Sequence, residues 1–259
     1  MYLFLVIVFG LIIGSFLNVC IYRIPENQSI SYPRSHCTTC NHTLGPLDLV
    51  PVLSYLCLGG KCRYCKAKIS PRYMCVELLT TLAFIGVYLQ YGATLNTVMY
   101  CTFTAFLITL TMIDFDHMIL PTNIIVVGWL MGIVFVLLRA LQAGDITYLW
   151  EPLLASAIGY GLFFALFYGV QFIYKKEGLG FGDVRLMALL GLYTSIQLVF
   201  LTILIASLIA SIYGVILYIK CKESKPFAFG PHLCMGAYIS VLFGYSILEW
   251  YFSFFNGVI

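Results

Sequence analysis

The chain has 259 residues, of which 61% are hydrophobic and only 10% charged, with a net charge of +3. Soluble domains carry about a quarter of their residues as charges, so a surface this poor in charge excludes an ordinary water-soluble globule. The small net charge points to no partner by itself; where the charges fall says more.

Apolar stretches run, in chain order, from Met1 to Tyr22, Tyr73 to Tyr91, Asn96 to Ile113, Thr122 to Leu141, Pro152 to Tyr174, Val184 to Ile219 and His232 to Phe255. All but 184–219 are close to the roughly 20 residues that cross about 30 Å of hydrocarbon. Only helices or closed barrels satisfy the backbone in lipid, and continuous apolar runs mean helices. The 184–219 stretch is too long for one span, and the polar Tyr193-Thr194-Ser195 divides it into a short helix and a full one. The expected fold is an all-α polytopic membrane protein with about eight transmembrane helices in the lipid bilayer. The first helix has no basic residue before it and Arg23 after it. A cleavable signal peptide has the reverse order, so this helix should stay, with its N-terminus outside. On this layout every lysine and arginine except Arg139 falls on one side. The positive-inside rule makes that side cytoplasmic and leaves both termini outside.

Residues 23 to 72 form the sizeable soluble segment. The expected organisation is a first transmembrane helix over 1–22, a cytoplasmic metal-binding domain over 23–72 and a helix bundle over 73–259. Within the segment, Cys37-Thr38-Thr39-Cys40 precedes Cys62-Arg63-Tyr64-Cys65 with 21 residues between the pairs. Two such knuckles supply four thiolates, a zinc-ribbon arrangement that closes a tetrahedron and leaves no open position for catalytic water. A segment of this size needs a staple. Structural zinc at Cys37, Cys40, Cys62 and Cys65 fits a reducing cytoplasm better than two disulfides. His36 and His42 flank the first knuckle as possible outer partners, and loop histidines without a role are the plainer reading. Cys20, Cys57, Cys75, Cys101, Cys221 and Cys234 form no motif and read as small buried hydrophobes. Ribbons also bind nucleic acid, but sidedness already explains the basic charge, so no nucleic acid is expected.

Four of the 11 acidic residues fall near membrane depth: Glu77, Asp114, Asp116 and Asp183. A charge at the centre of a span costs about 3 kcal/mol, and residues kept at such depth line wet cavities or do chemistry. Two carboxylates across one cavity make an aspartyl protease: one takes a proton from water, the other donates to the scissile carbonyl, and the close pair shares one proton. Gly178, Gly180 and Gly182 precede Asp183 and lack Cβ atoms, which would let the backbone bend and a substrate strand approach. Taken alone, Gly180-Phe181-Gly182-Asp183 reads equally as a helix start with Asp183 as N-cap.

Several motifs together resemble the type IV prepilin peptidases. They are Gly14-Ser15-Phe16-Leu17-Asn18-Val19 with Tyr22-Arg23-Ile24-Pro25; the cysteine knuckles followed by Ile69-Ser70-Pro71-Arg72-Tyr73; Asp114 to Pro121; Gly180 to Asp183; and Phe229-Gly230-Pro231. They cover most of the chain in family order. The resemblance implies cleavage of prepilin or pseudopilin leaders at the cytoplasmic face of a prokaryotic inner membrane. It further implies N-methylation of the new terminus by S-adenosylmethionine. It gives Asp114 and Asp183 the catalytic roles; beside them Asp116, by hydrogen bonding or charge, and Gly180 and Gly182 are expected in support. The family commonly has Asp after the proline that matches Pro121; here Thr122 stands there. The competing function is a proton- or ion-coupled transporter using the buried aspartates, which leaves the cysteine knuckles unexplained.

Overall fold

A computed structural model describes residues 1–175, 180–223 and 227–255. These are helical, with no pairing more extended than two isolated bridges. The helices are α1 (Tyr2–Arg23), α2 (Leu53–Cys57), α3 (Arg72–Tyr91), α4 (Leu95–His117), α5 (Thr122–Ala143), α6 (Thr147–Tyr174), α7 (Phe181–Tyr193), α8 (Ile196–Cys221) and α9 (Gly230–Phe255). Seven of them, all but α2 and α7, are long and apolar enough to cross a membrane. Large apolar side chains such as Phe9, Leu130, Leu141, Leu208 and Phe243 stay outward along them, as surfaces solvated by lipid allow. The remaining expected span is α7, the short helix before the Thr194-Ser195 break. Its 13 residues rise about 20 Å, short of a full crossing.

The chain forms two compact units, Met1–Thr109 and Leu110–Ile259. In the first, α1 packs along α3. A Cβ at Gly10 would lie 2.8 Å from Thr81 Cα, and one at Gly14 2.7 Å from Glu77 Cα. Two glycines four apart share one helix face and let the backbones nearly touch, the small-x-x-x-small contact of membrane helices. The Asn18 side-chain amide locks the crossing by donating to the carbonyls of Gly14 (3.3 Å) and Tyr73 (3.0 Å).

In the second unit α7 is the core. Val184, Leu186, Met187 and Leu189 have no exposed surface, because α5, α6 and α9 all pack on this helix. Gly191 lies against the Ala155 backbone of α6 with no room for a side chain. Ser156 donates to the Ala188 carbonyl at 2.7 Å, and the Tyr193 hydroxyl donates to Gly128 of α5 at 3.0 Å. Enclosed in this way, α7 meets protein rather than lipid, which is how a helix too short to span can sit at membrane depth. The chain then restarts as α8, with the Ser195 hydroxyl accepting from the Leu198 N–H.

Candidate functional site

The four knuckle cysteines converge in the first unit. Their sulfurs all lie within 4.8 Å of one another, and Cys37 and Cys65 are 3.7 Å apart. Four sulfurs about 2.3 Å from one tetrahedral metal lie roughly 3.8 Å apart, so the thiols have the spacing a metal needs. The two knuckles fold alike. Cys37 N–H donates to His42 and Asn41 N–H to Cys37; Cys62 N–H donates to Ala67 and Lys66 N–H to Cys62. Asn41 and Lys66, each just after the second cysteine of its pair, both turn with φ near the left-handed region, 55° and 59°. The N–H groups of Cys40 and Thr39 point at the Cys37 sulfur and hold its thiol below the usual range. Asp48 braces the second knuckle: its carboxylate pairs with Arg63 at 2.6 Å and accepts from Tyr64. The Arg63 guanidinium holds that carboxyl below the usual carboxylate range. His36 instead bonds the Arg34 carbonyl, and His42 packs at a tilt against the Tyr64 ring; neither joins the sulfur cluster. Of the other cysteines, Cys20 and Cys234 are buried, but Cys57, Cys75 and Cys221 are exposed, so the uniform burial expected of them does not hold.

The aspartates meet at one end of the second unit. Asp114 closes α4 and Asp183 opens α7; both are buried, at 5% and 6% exposure, and they lie close enough for their charges to interact. Each is held by a helix start. The Asp114 carboxylate accepts from the Gly230 N–H at the head of α9. The Asp183 carboxylate reaches back to the Gly180 N–H at the head of α7. Free N–H groups and the dipole favour a carboxylate at both places. Gly180 is therefore the N-cap, and Asp183 sits three residues in, in the back-bonding position of a capping box rather than at the cap itself. Asp116 is exposed at the end of α4, two residues after Asp114.

The glycines serve this end differently from the bending expected of them. Gly180 has φ −71°, open to any residue. A Cβ on Gly182 would lie 2.9 Å from Leu120 Cβ, so its neighbour is the turn after α4 rather than a substrate strand. Gly178 lies outside the described residues. Gly230 is the residue the candidate set omitted: a Cβ there would sit 2.5 Å from Asp114 Oδ2. It stood in the Phe229-Gly230-Pro231 motif, but spacing alone could not say which side chain it admits. His232 was also missed. It is buried, its Nδ1 donates to the Ala228 carbonyl at 3.1 Å, and the rings of Tyr213, Phe227 and Phe229 surround it, so it fixes the turn that carries Gly230. Thr122, the departure from the family pattern, accepts a hydrogen bond from Arg185 of α7. Arg185 also lies 4.7 Å over the Phe181 ring. A bond from a guanidinium to a neutral hydroxyl thus joins the heads of α5 and α7.

Two buried carboxylates brought together on separate helices of a multi-pass membrane protein define the membrane aspartyl peptidases. The profile of the bacterial peptidase A24 N-terminal domain matches residues 8–91, and that of the type IV leader peptidase family matches residues 101–215. The chain is 35% identical to a prepilin leader peptidase/N-methyltransferase of Aeromonas salmonicida, over 98% of this chain and 94% of that protein. It is 34% identical to one of Pseudomonas aeruginosa (96% and 92%) and 30% identical to one of Bacillus subtilis (94% and 95%). The chain belongs to the type IV leader peptidase family. No solved structure matches it.

Proposed function

We propose that this protein removes the leader from type IV prepilins or pseudopilins and methylates the amine so exposed, with Asp114 and Asp183 as the proteolytic pair. The observation that carries the proteolytic half is the meeting of these two buried carboxylates at one end of the bundle. One carboxylate takes a proton from water as its oxygen attacks the scissile carbonyl, while the protonated partner donates to the carbonyl oxygen. Collapse of the tetrahedral intermediate returns a proton to the leaving nitrogen, and the pair is restored. Gly230 N–H and Gly180 N–H orient the two groups; Asp116 supports the site from the solvent side.

The sulfur spacing favours zinc in Cys37, Cys40, Cys62 and Cys65, as a structural staple for 23–72 with no water position of its own. The basic residues favour placing that segment and the aspartate end on the cytoplasmic side of the inner membrane. Both termini then lie outside, with the enclosed α7 carrying the chain toward the outer half. Organised this way, 1–22 anchors the metal domain and 73–259 holds the peptidase. The transporter reading leaves the four-thiol site without a purpose. Incubating the purified protein with a prepilin and S-adenosylmethionine, then weighing the N-terminal peptide, tests the proposal. A shortened, N-methylated product supports it; an uncut prepilin refutes it.

A further inference from the structure

Residues 44 to 58 belong to the loop between α1 and α3, yet their outer face is not that of a loop in water. Leu47, Val50, Leu53 and Leu56 recur at every third position, and all four are exposed, Leu47 to 73% and the α2 residues Leu53 and Leu56 each to 60%. Single exposed leucines are ordinary; a run of large apolar side chains on one short segment forms a patch that calls for a partner. From Thr43 to Gly60 the one acidic or basic side chain is Asp48, and it is turned inward: its side chain is 6% exposed, and its carboxylate accepts from the Gly45 N–H and pairs with Arg63. Ser54, Tyr55 and Leu58 face the other way, into a cavity of about 710 Å3 between α1, α3 and this loop.

The segment is tied to membrane depth. The Val52 N–H donates to the Glu77 carboxylate of α3 at 2.7 Å, and Val52 takes φ 61° to present it, a conformation that β-branched residues avoid. Glu77 lies five residues beyond Arg72, the first residue of α3, and so about 7.5 Å along the helix. α3 has 20 residues, which rise about 30 Å, the thickness of the hydrocarbon, so it has no spare turn to lift Glu77 clear. α1 agrees. Gly14, whose Cβ would lie 2.7 Å from Glu77 Cα, sits nine residues before the end of α1 at Arg23, about 13 Å in. Loop backbone at such depth must satisfy its own polar groups. Here the N–H groups of Asp48 and Leu49 donate to Gly45 and Pro46, and those of Ser54, Leu56 and Leu58 to Val50, Val52 and Ser54.

We propose that residues 47–56 are a wedge seated in the lipid leaflet where α1 ends and α3 begins, with Leu47, Val50, Leu53 and Leu56 at the boundary between headgroups and acyl chains. A water-borne partner could not reach a face held at this depth. The charge that follows suits lipid too: Lys61, Arg63, Lys66 and Lys68 are all exposed, and segments that lie in the interface combine an apolar face with a basic rim that meets anionic headgroups. The Asp48–Arg63 pair joins the wedge to the second cysteine knuckle, so the four-thiol site rests on the membrane surface rather than hanging free in water.

The test is photocrosslinking of the full-length, metal-loaded protein in nanodiscs of phosphatidylethanolamine and phosphatidylglycerol. Benzoylphenylalanine is placed at Leu47, Leu53 or Leu56, one position at a time, and mass spectrometry identifies the adduct. These side chains are already exposed, so the larger ring displaces no packing. Each position should give phospholipid adducts about tenfold or more above those from the same probe at Thr39, an exposed residue of the first knuckle, as an interfacial face requires. The reciprocal measurement needs no substitution: phosphatidylglycerol with a photoreactive acyl chain should label the peptide 47–58 of the unaltered protein. Lipid adducts no more frequent than at Thr39, or adducts to peptides beyond residue 109 or to a second copy of the chain in place of lipid, overturn the inference. So does an unlabelled 47–58 peptide in nanodiscs where the transmembrane helices are labelled.

Discussion

Gly230→Ala should disable cleavage through a single methyl group. The added Cβ would lie 2.5 Å from Asp114 Oδ2 and 3.2 Å from Leu120 Cδ1. Non-bonded heavy atoms settle at roughly 3.5 Å, so the carboxylate must retreat by about 1 Å. It has little room to do so: Asp114 is buried, and the glycine whose N–H it accepts is the one altered. A catalytic group misplaced by about 1 Å loses on the order of a hundredfold in rate, whereas overpacking itself costs about 1–3 kcal/mol of stability. The two effects separate if cleavage is measured per folded molecule, as prepilin conversion on a gel at matched abundance. Gly161→Ala, where a Cβ meets nothing within 4 Å, is the control and should cleave at the normal rate. A Gly230→Ala protein that cleaves as fast as this control refutes the geometry assigned to Asp114.

Cys62→Ser, at a buried position of the four-sulfur cluster, should lose the metal and reduce methylation more than cleavage; metal analysis and product mass together read both. Gly14→Val should drive α1 off α3, since its Cβ would meet the Glu77 backbone at 2.7 Å; it should cost about 1–3 kcal/mol of stability, read as a lowered unfolding temperature in detergent. Asp116→Asn, altering an exposed carboxylate, should retain measurable cleavage.

Much of this was legible in the sequence because each signal was local. Apolar runs gave the helices, and the Thr194-Ser195 break separates α7 from α8 where polarity interrupts the run. The C-x-x-C pairs named the thiols, since a knuckle is built from neighbouring residues. What escaped depended on contacts between distant segments. Gly10 and Gly14 carry a readable four-residue spacing, yet their partners on α3 lie more than sixty residues away. Gly230 matters only because α9 begins beside the end of α4, and no period in either helix encodes that meeting. His232 looked like one more residue of an apolar helix, and its role comes from the aromatic rings folded round it. The cavity beside Glu77 is likewise made by three segments that the sequence keeps apart.

The central claim is that Asp114 and Asp183 together activate the water that cuts the prepilin. The direct measurement is the cleavage rate of Asp183→Asn beside Asp114→Asn, each purified at wild-type abundance with its metal retained. Asparagine keeps the size and the hydrogen bond to the helix start but cannot take a proton from water. Both variants should leave the prepilin uncut while still binding metal. Near-normal cleavage by Asp183→Asn would contradict the aspartyl mechanism outright.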